Sequence, residues 1–355
     1  MSGKIVVALL FGGRSAEHDV SLASASAVHR NLDRERYEVR SIYITRDGKW
    51  KVVDAPDPDP AKLQGGEARP FLPWEAAGRA AGVPADIYFP VLHGPFGEDG
   101  TVQGLFEMAG VAYVGAGVLG SALGMDKVSA KILFAERGLP IVPWRSFSEA
   151  EWRAGRAAAL RRIAREFALP FFVKPSNLGS SVGITKVKDR GATAAALETA
   201  FLYDGKAVVE KGIAGRELEC SVLGNDAPEA SVPGEVIPHR EFYDYADKYL
   251  EGKTGFVIPA CLPRATAARV RRLAVEAFRA LDIRGLARVD FFLESRTGRL
   301  YVNELNTMPG FTAISMYPKL WEASGLPFPR LLDRLIDLGL EAHAARKACV
   351  DRDAG

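Results

Sequence analysis

The sequence predicts an α/β fold, with an open parallel sheet in its first third and an α+β arrangement beyond, and three stretches carry that prediction. "KIVVALLF", 4–11, is an unbroken apolar run ending in Gly12-Gly13, the pattern of a parallel strand buried on both faces. A helical pattern over about 20–32 and a second strand, "YEVRSIYIT", follow it, and that alternation builds parallel sheets. Near the other end, "GLARVDFFLE" and "RLYVNELN" are separated only by the turn-formers Ser295-Arg296-Thr297-Gly298, which makes 288–306 an antiparallel hairpin.

Three regions follow from these elements. Residues 1–120 close with the strand "ADIYFPVLHG", after a Pro/Gly-rich stretch, 54–84, that carries no motif. Residues 121–215 open on a single helix, "SALGMDKVSAKILFAERG", stopped by Gly138 and Pro140. "PFFVKPSNLGSSVGITKV" and "AVVEKGI" then supply a strand, a glycine loop, a strand, a helix and a strand. Residues 216–355 hold the strand "ELECSVLG", a polar aromatic segment over 239–256, an amphipathic helix over 264–281, the hairpin, and a helix near 328–340. The last dozen residues are polar and are expected to fray.

Composition excludes several classes. The 355 residues are 48% hydrophobic and 25% charged, a globular balance sufficient for two or three domains. A net charge of +2 leaves no electrostatic footprint for nucleic acid or an anionic membrane, so neither is expected as a partner. Cys220, Cys261 and Cys349 lie far apart with neither metal nor disulfide spacing, which points to a reducing compartment and hence the cytoplasm. The run Ile5 to Phe11 after Lys4 imitates the core of a signal peptide, but Gly-Gly-Arg replaces the cleavage site, and no run is long enough to span a bilayer.

Five stretches could carry chemistry. "FGGRSAEHDVS" joins a strand to a helix, where backbone N–H groups bind anions; Glu17 and Asp19 there are explained equally well as N-terminal caps. "HGPFGEDG" sets His93, Glu98 and Asp99 just past a strand end, the ligand side of open α/β sheets. "KPSNLGSSVGI" places Lys174 before Gly179, Ser180, Ser181 and Gly183, a donor-rich loop able to wrap polyphosphate but without Walker A spacing. "VVEKGIAGRELE" offers Glu210 and Lys211 as an acceptor and donor for an adenine edge, with Glu217 beyond; surface ion pairing explains them as well. In the hairpin, strand alternation points Glu304 and Asn306 to one face, and Arg288 and Asp290 share a face of the partner strand, an oxygen set suited to magnesium. Direct pairing of Glu294 with Arg299 would set Asp290 against Asn303, so convergence with Glu304 requires a one-residue bulge.

Taken together, these motifs resemble the ATP-grasp ligases and, within them, the D-alanine:D-alanine ligase family. The likeness runs through "LFGGRSAEHDVSL", "PVLHGPFGEDGTVQGLFE", "GMDKVSAK", "VKPSNLGSSVG", "FYDYADKY", "ARVDFF" and "NELNTMPGFTAISMYP", nearly the whole chain. It implies an ATP-grasp fold behind an N-terminal open sheet. It also implies a reaction in which ATP phosphorylates one D-alanine and the amine of a second displaces the phosphate. Asp290, Glu304 and Asn306 then match ligands of two magnesium ions, with manganese as the substitute. Lys127 and Lys174 match phosphate lysines, with Ser180 and Ser181 in the glycine loop. Glu210, Lys211, Ile213 and Glu217 match the adenine and ribose contacts. Glu17, near His93, matches the group that holds the first ammonium and is linked through Ser180 to Tyr249 of a closing loop that also carries Lys248. Arg288 and the Gly310 N–H match the oxyanion donors, and Ser315 and the Met316 backbone match the site of the second carboxylate. A homodimer is the family expectation, and the sequence is silent on potassium activation.

The runner-up is a D-alanine:D-lactate or other carboxylate–amine ligase; relatives making the ester typically lack the tyrosine at position 249. A non-catalytic ATP-binding protein is expected to have lost Arg288 or a metal ligand, and all are present. A dinucleotide oxidoreductase needs GxGxxG after the first strand, and Gly12-Gly13-Arg14 does not supply it.

Overall fold

Three parallel strands form the centre of the first sheet: β1 (Ile5–Gly12) lies between β2 (Tyr37–Ile44) and β5 (Ile87–Val91). Val7 to Phe11 are fully buried, which is why the run shows no polar alternation. The structure, a computed structural model, describes residues 3–63, 65, 67–68, 83–179, 182–238 and 255–353. β3 (Trp50–Val53) and β4 (Glu67–Ala68) add to the same sheet antiparallel, because the link from Thr45 to Lys49 is too short for a parallel crossover. α1 (His18–Asn31) crosses from β1 to β2, and its Ser21 hydroxyl accepts from the Gly12 N–H at 2.7 Å and donates to the Val91 carbonyl.

α2 (Thr101–Met108) leads to α3 (Val118–Met125) and α4 (Lys127–Glu136). The single helix expected over 121–138 is thus two. Asp126 leaves the helical region (φ −82°, ψ 102°) and its carboxylate accepts from the Ser129 N–H at 2.8 Å, capping α4.

The second sheet runs β6 (Trp144–Ser148), β9 (Lys206–Lys211), β7 (Phe171–Pro175), β8 (Thr185–Val187), antiparallel throughout. α5 (Glu149–Glu166) and α6 (Thr193–Phe201) cover it. α5 was not expected, yet Ser148 and Glu151 form a full capping box at its start, a signal written as Ser-x-x-Glu.

The third sheet is also antiparallel, ordered β13 (Gly255–Val257), β12 (Gly234–Ile237), β10 (Gly215–Gly224), β14 (Gly285–Glu294), β15 (Leu300–Asn306), with β11 (Glu229–Ala230) on β10. α7 (Arg264–Ala280) packs Val270, Leu273, Ala274 and Phe278 beneath it. α8 (Met316–Ala323) and α9 (Phe328–Asp353) complete the chain, and α9 runs on through the tail expected to fray. Leu331, Leu335 and Ile336 of α9 share one core with Val7, Leu9 and Phe89 of the first sheet. Gly339 allows this approach, since a Cβ there would lie 2.7 Å from the Tyr113 carbonyl. Among the described residues no helix is long and apolar enough to cross a membrane.

Candidate active site

The hairpin begins in the register that threatens the site: the Glu294 N–H donates to the Arg299 carbonyl at 2.9 Å. Phe291 pairs with Val302, but Asp290 then pairs with Glu304 and Arg288 with Asn306, so Asn303 is the extra residue of a β-bulge. The cause lies in the core. Val302 and Leu305 are 0% and 4% exposed although they stand three apart, and an uninterrupted strand would turn Leu305 outward and bury Glu304. On its other edge β14 pairs Asp290 with Glu219 of β10, so Glu219, Asp290 and Glu304 form a row across three strands. Arg288 grips Asp290 with Nε at 2.7 Å and Nη2 at 2.8 Å, and its Nε is 3.1 Å from Glu219. The Asn306 amide oxygen accepts from the Met308 N–H at 3.0 Å. Two carboxylates and an amide oxygen on one face, with no sulfur or imidazole donor among them, fit a hard divalent cation such as magnesium.

A cavity of about 500 Å³ lies between the second and third sheets, with Lys174, Glu210 and Asp290 at its polar end and Phe172, Ile184 and Phe292 along its apolar wall. That combination suits a planar ring joined to a polyanion. Glu210 is buried between two ammoniums, Lys131 Nζ at 2.6 Å from Oε1 and Lys174 Nζ at 2.6 Å from Oε2. Burial opposes the charged form of Glu210, but Lys131 and then Lys174 outweigh it and hold its pKa at about 2. A carboxyl held below its unfolded value stabilises the fold above that value, and the contribution fades as pH falls from 4.5 towards 2. Urea unfolding at pH 7 and pH 3 is therefore expected to show a loss to which Glu210 contributes on the order of 2 kcal/mol, and Glu210→Gln removes that part of the pH dependence.

The other two lysines of the region differ. Burial lowers the pKa of Lys127 against the opposing pull of Glu304, 3.8 Å away, while its ammonium donates to the Leu178 carbonyl at 2.6 Å. Lys174 is equally disfavoured by burial, but Glu210 and Glu304 raise its pKa overall.

A smaller cavity, about 110 Å³, adjoins the first, and Glu219 and Glu304 line both. Glu17 precedes α1 but makes no side-chain cap hydrogen bond, which removes the capping explanation. Its carboxylate lies against two glycine loops: a Cβ on Gly94 would sit 2.6 Å from Glu17 Oε2, and one on Gly179 3.3 Å away. Gly94 also has φ +74°, so both its conformation and its neighbour demand glycine. Asp19, by contrast, pairs with Arg46 at 2.7 Å on the surface.

His93 is buried with both ring nitrogens engaged, Nδ1 2.9 Å from the Met308 carbonyl and Nε2 3.0 Å from Ser24 Oγ. Burial alone would lower its pKa, but Glu98, 3.6 Å from Nδ1, with Glu17 beyond, raises it. Burial lifts Glu98 itself to about 7, against the restraint of His93. Ser315 Oγ accepts from the Thr312 N–H at 3.0 Å, and Met316 opens α8, so its N–H is among those lacking an intrahelical acceptor. The Met316 side chain packs in the core with Val236 and Leu320, leaving only its backbone for a ligand.

The smaller cavity thus gathers Glu17, His93, Lys127, Arg288, Glu304, Asn306, Gly310, Ser315 and Met316, and the larger one Lys174, Glu210, Lys211, Ile213, Glu217 and Asp290. Ser180, Ser181, Lys248 and Tyr249 lie outside the described residues. Sequence reasoning passed over Lys131 and Glu219. Lys131 stands one helical turn after Lys127, and Glu219 two strand positions after Glu217, so each shares a face with an expected residue.

Comparison with known families covers most of the chain. The D-ala D-ala ligase N-terminus family matches residues 6–116 and the D-ala D-ala ligase C-terminus family residues 133–337. A D-alanine–D-alanine ligase of Solibacter usitatus is 50% identical, covering 97% of this chain and 98% of that protein. The solved D-alanine-D-alanine ligase of Coxiella burnetii is 37% identical with a TM-score of 0.87, covering 98% of this chain and 97% of that one. The VanG D-Ala:D-Ser ligase of Enterococcus faecalis is 35% identical with a TM-score of 0.84, covering 95% of this chain and 100% of that one.

Proposed function

The chain belongs to the D-alanine–D-alanine ligase family, whose ATP-dependent reaction joins two D-alanines into the D-alanyl-D-alanine unit of peptidoglycan with release of ADP and phosphate; we propose how this site performs it. ATP lies in the larger cavity, its base along the end of β9 by Glu210, Lys211 and Ile213, its ribose at Glu217, and its phosphates at Lys127, Lys174 and the glycine loop with Ser180 and Ser181. Asp290, Glu304 and Asn306 hold two magnesium ions, or manganese in their place, which neutralise the charge spread over the transferring phosphoryl group.

The first D-alanine occupies the smaller cavity with its ammonium at Glu17 and its carboxylate towards the shared wall. His93, its own nitrogens taken, contributes charge and shape there. The carboxylate attacks the terminal phosphorus and ADP leaves, giving D-alanyl phosphate. The second D-alanine sets its carboxylate at Ser315 and the Met316 N–H, and its amine attacks the acyl carbon. Arg288 and the Gly310 N–H stabilise the resulting oxyanion, which collapses by expelling phosphate. Lys248 and Tyr249 belong to the loop that closes over the reactants and excludes water, to which an acyl phosphate is vulnerable.

What supports this reading most directly is the wall that Glu219 and Glu304 share between the two cavities, beside Arg288, because phosphate donor and carboxylate must meet at one place. The same reading puts a homodimer in the cytoplasm, in keeping with the free thiols of Cys220 and Cys261. Phosphate release with Mg-ATP is expected to require D-alanine, to ignore L-alanine, and to yield dipeptide by mass spectrometry. D-Serine and D-lactate added beside D-alanine test the second subsite, and mixed products outweighing D-alanyl-D-alanine would overturn the assignment of the acceptor.

A further inference from the structure

Lys131 is the most deeply buried charge near the site, at 1% exposure, and the reaction described above gives it no task. A buried ammonium is costly unless it is paired and hydrogen-bonded, so its partners show what it is for. One is Glu210 Oε1 at 2.6 Å; the other is the main-chain carbonyl of Asn303, which its Nζ reaches at 3.1 Å.

Asn303 is the bulge residue, and the extra residue of a bulge has no ladder partner of its own. Its carbonyl would otherwise be an orphaned acceptor beside the site, and Lys131 satisfies it. The preceding residue is held from the same quarter. The Val302 N–H donates at 2.7 Å to the carbonyl of Pro140, which lies just beyond the C-terminus of α4. Helix α4 and its exit therefore grip two successive residues of β15 at the point where the register shifts, while the same ammonium fixes Glu210 on β9 of another sheet.

We infer that Lys131 is a positioning residue that ties the nucleotide strand to the metal strand: by holding the Glu210 carboxylate and the Asn303 carbonyl together, it keeps the base reader and the ligands beyond the bulge in fixed relation. The inference rests on the roles given above to Glu210, Glu304 and Asn306. It also explains why "GMDKVSAK" carries two lysines on one helix face. Lys127 serves the phosphates, and Lys131 serves the residues that shape their site.

The test is Lys131→Met, which keeps the bulk of the side chain and removes the charge. Mn²⁺ binding is followed by electron paramagnetic resonance in the presence of ADP, alongside KM for ATP, KM for D-alanine and the melting temperature. The expected result is a rise of about tenfold or more in the Mn²⁺ dissociation constant and in KM for ATP, with KM for the first D-alanine within about twofold of the parent. A lower melting temperature with Mn²⁺ and ATP affinities intact would make Lys131 merely structural and overturn the inference. The double variant Lys131→Met/Glu210→Gln leaves no buried carboxylate short of its cation and carries the same comparison should the single variant fail to fold. It is expected to remain weak for Mn²⁺, and recovery of parental affinity would show that the Asn303 contact contributes nothing. Asp290→Asn is run in parallel: if it binds Mn²⁺ as the parent does, the metal assignment itself fails and the inference falls with it, a result distinct from failure at Lys131.

Discussion

Arg288→Met is expected to bind ATP and D-alanine yet form dipeptide about 10³-fold more slowly. The guanidinium stands on β14, an interior strand of the third sheet, clamped through two hydrogen bonds to Asp290 and braced by Glu219, so it is already aimed before any charge develops. A positioned donor of this kind acts on the oxyanion and hardly on the ground state, and the loss falls on kcat with KM little changed. A competing explanation is that the substitution simply frees Asp290 and disturbs the metals. Removing the arginine takes its positive charge away from Asp290 and Glu219, the two carboxylates it contacts, which favours divalent binding. Mn²⁺ affinity is therefore expected to hold or tighten while turnover collapses. Weakened Mn²⁺ binding in step with turnover would move Arg288 from catalysis to support of the metal site.

Glu17→Gln is the second large effect, and it falls on the other substrate. Truncating one partner of a desolvated charge pair costs roughly 2–4 kcal/mol, so kcat/KM for the first D-alanine is expected to fall by about 10²-fold while KM for ATP stays put. The substitution carries a spectroscopic mark. Glu17 helps raise the pKa of both His93 and Glu98, and its neutralisation lowers both. The titration of His93, read from its imidazole protons by NMR, is expected to move to lower pH. An unchanged His93 titration with a raised KM for D-alanine would place Glu17 further from the pair than the geometry of the cavity implies, and would point instead to a distorted α1.

The sequence carried the strands of the first sheet and the hairpin because burial on two faces, or on one, leaves a direct imprint on apolar spacing. The bulge was legible as a conflict, since the turn set one register and the oxygen ligands required another. The deciding signal, Val302 and Leu305 three apart, was present but reads as a break in period only once both are known to be buried. The split of α3 from α4 escaped because Asp126 can sit inside a helix as well as cap one, and its cap depends on the φ/ψ of one residue. Lys131 escaped for a different reason. Nothing local distinguishes a lysine that reaches solvent from one that reaches a carbonyl on a strand 172 positions away.

The last helix finishing the core of the first sheet has a consequence for how the protein is made. A ribosome releases β1, β2 and β5 first, but the apolar face they share with Leu331, Leu335 and Ile336 stays uncovered until the helix from Phe328 onward emerges. The first sheet therefore waits, partly open, until α9 has been made. Any product cut short before Phe328 carries an unsealed sheet at its front, a lesion far from the cut and open to chaperones and proteases.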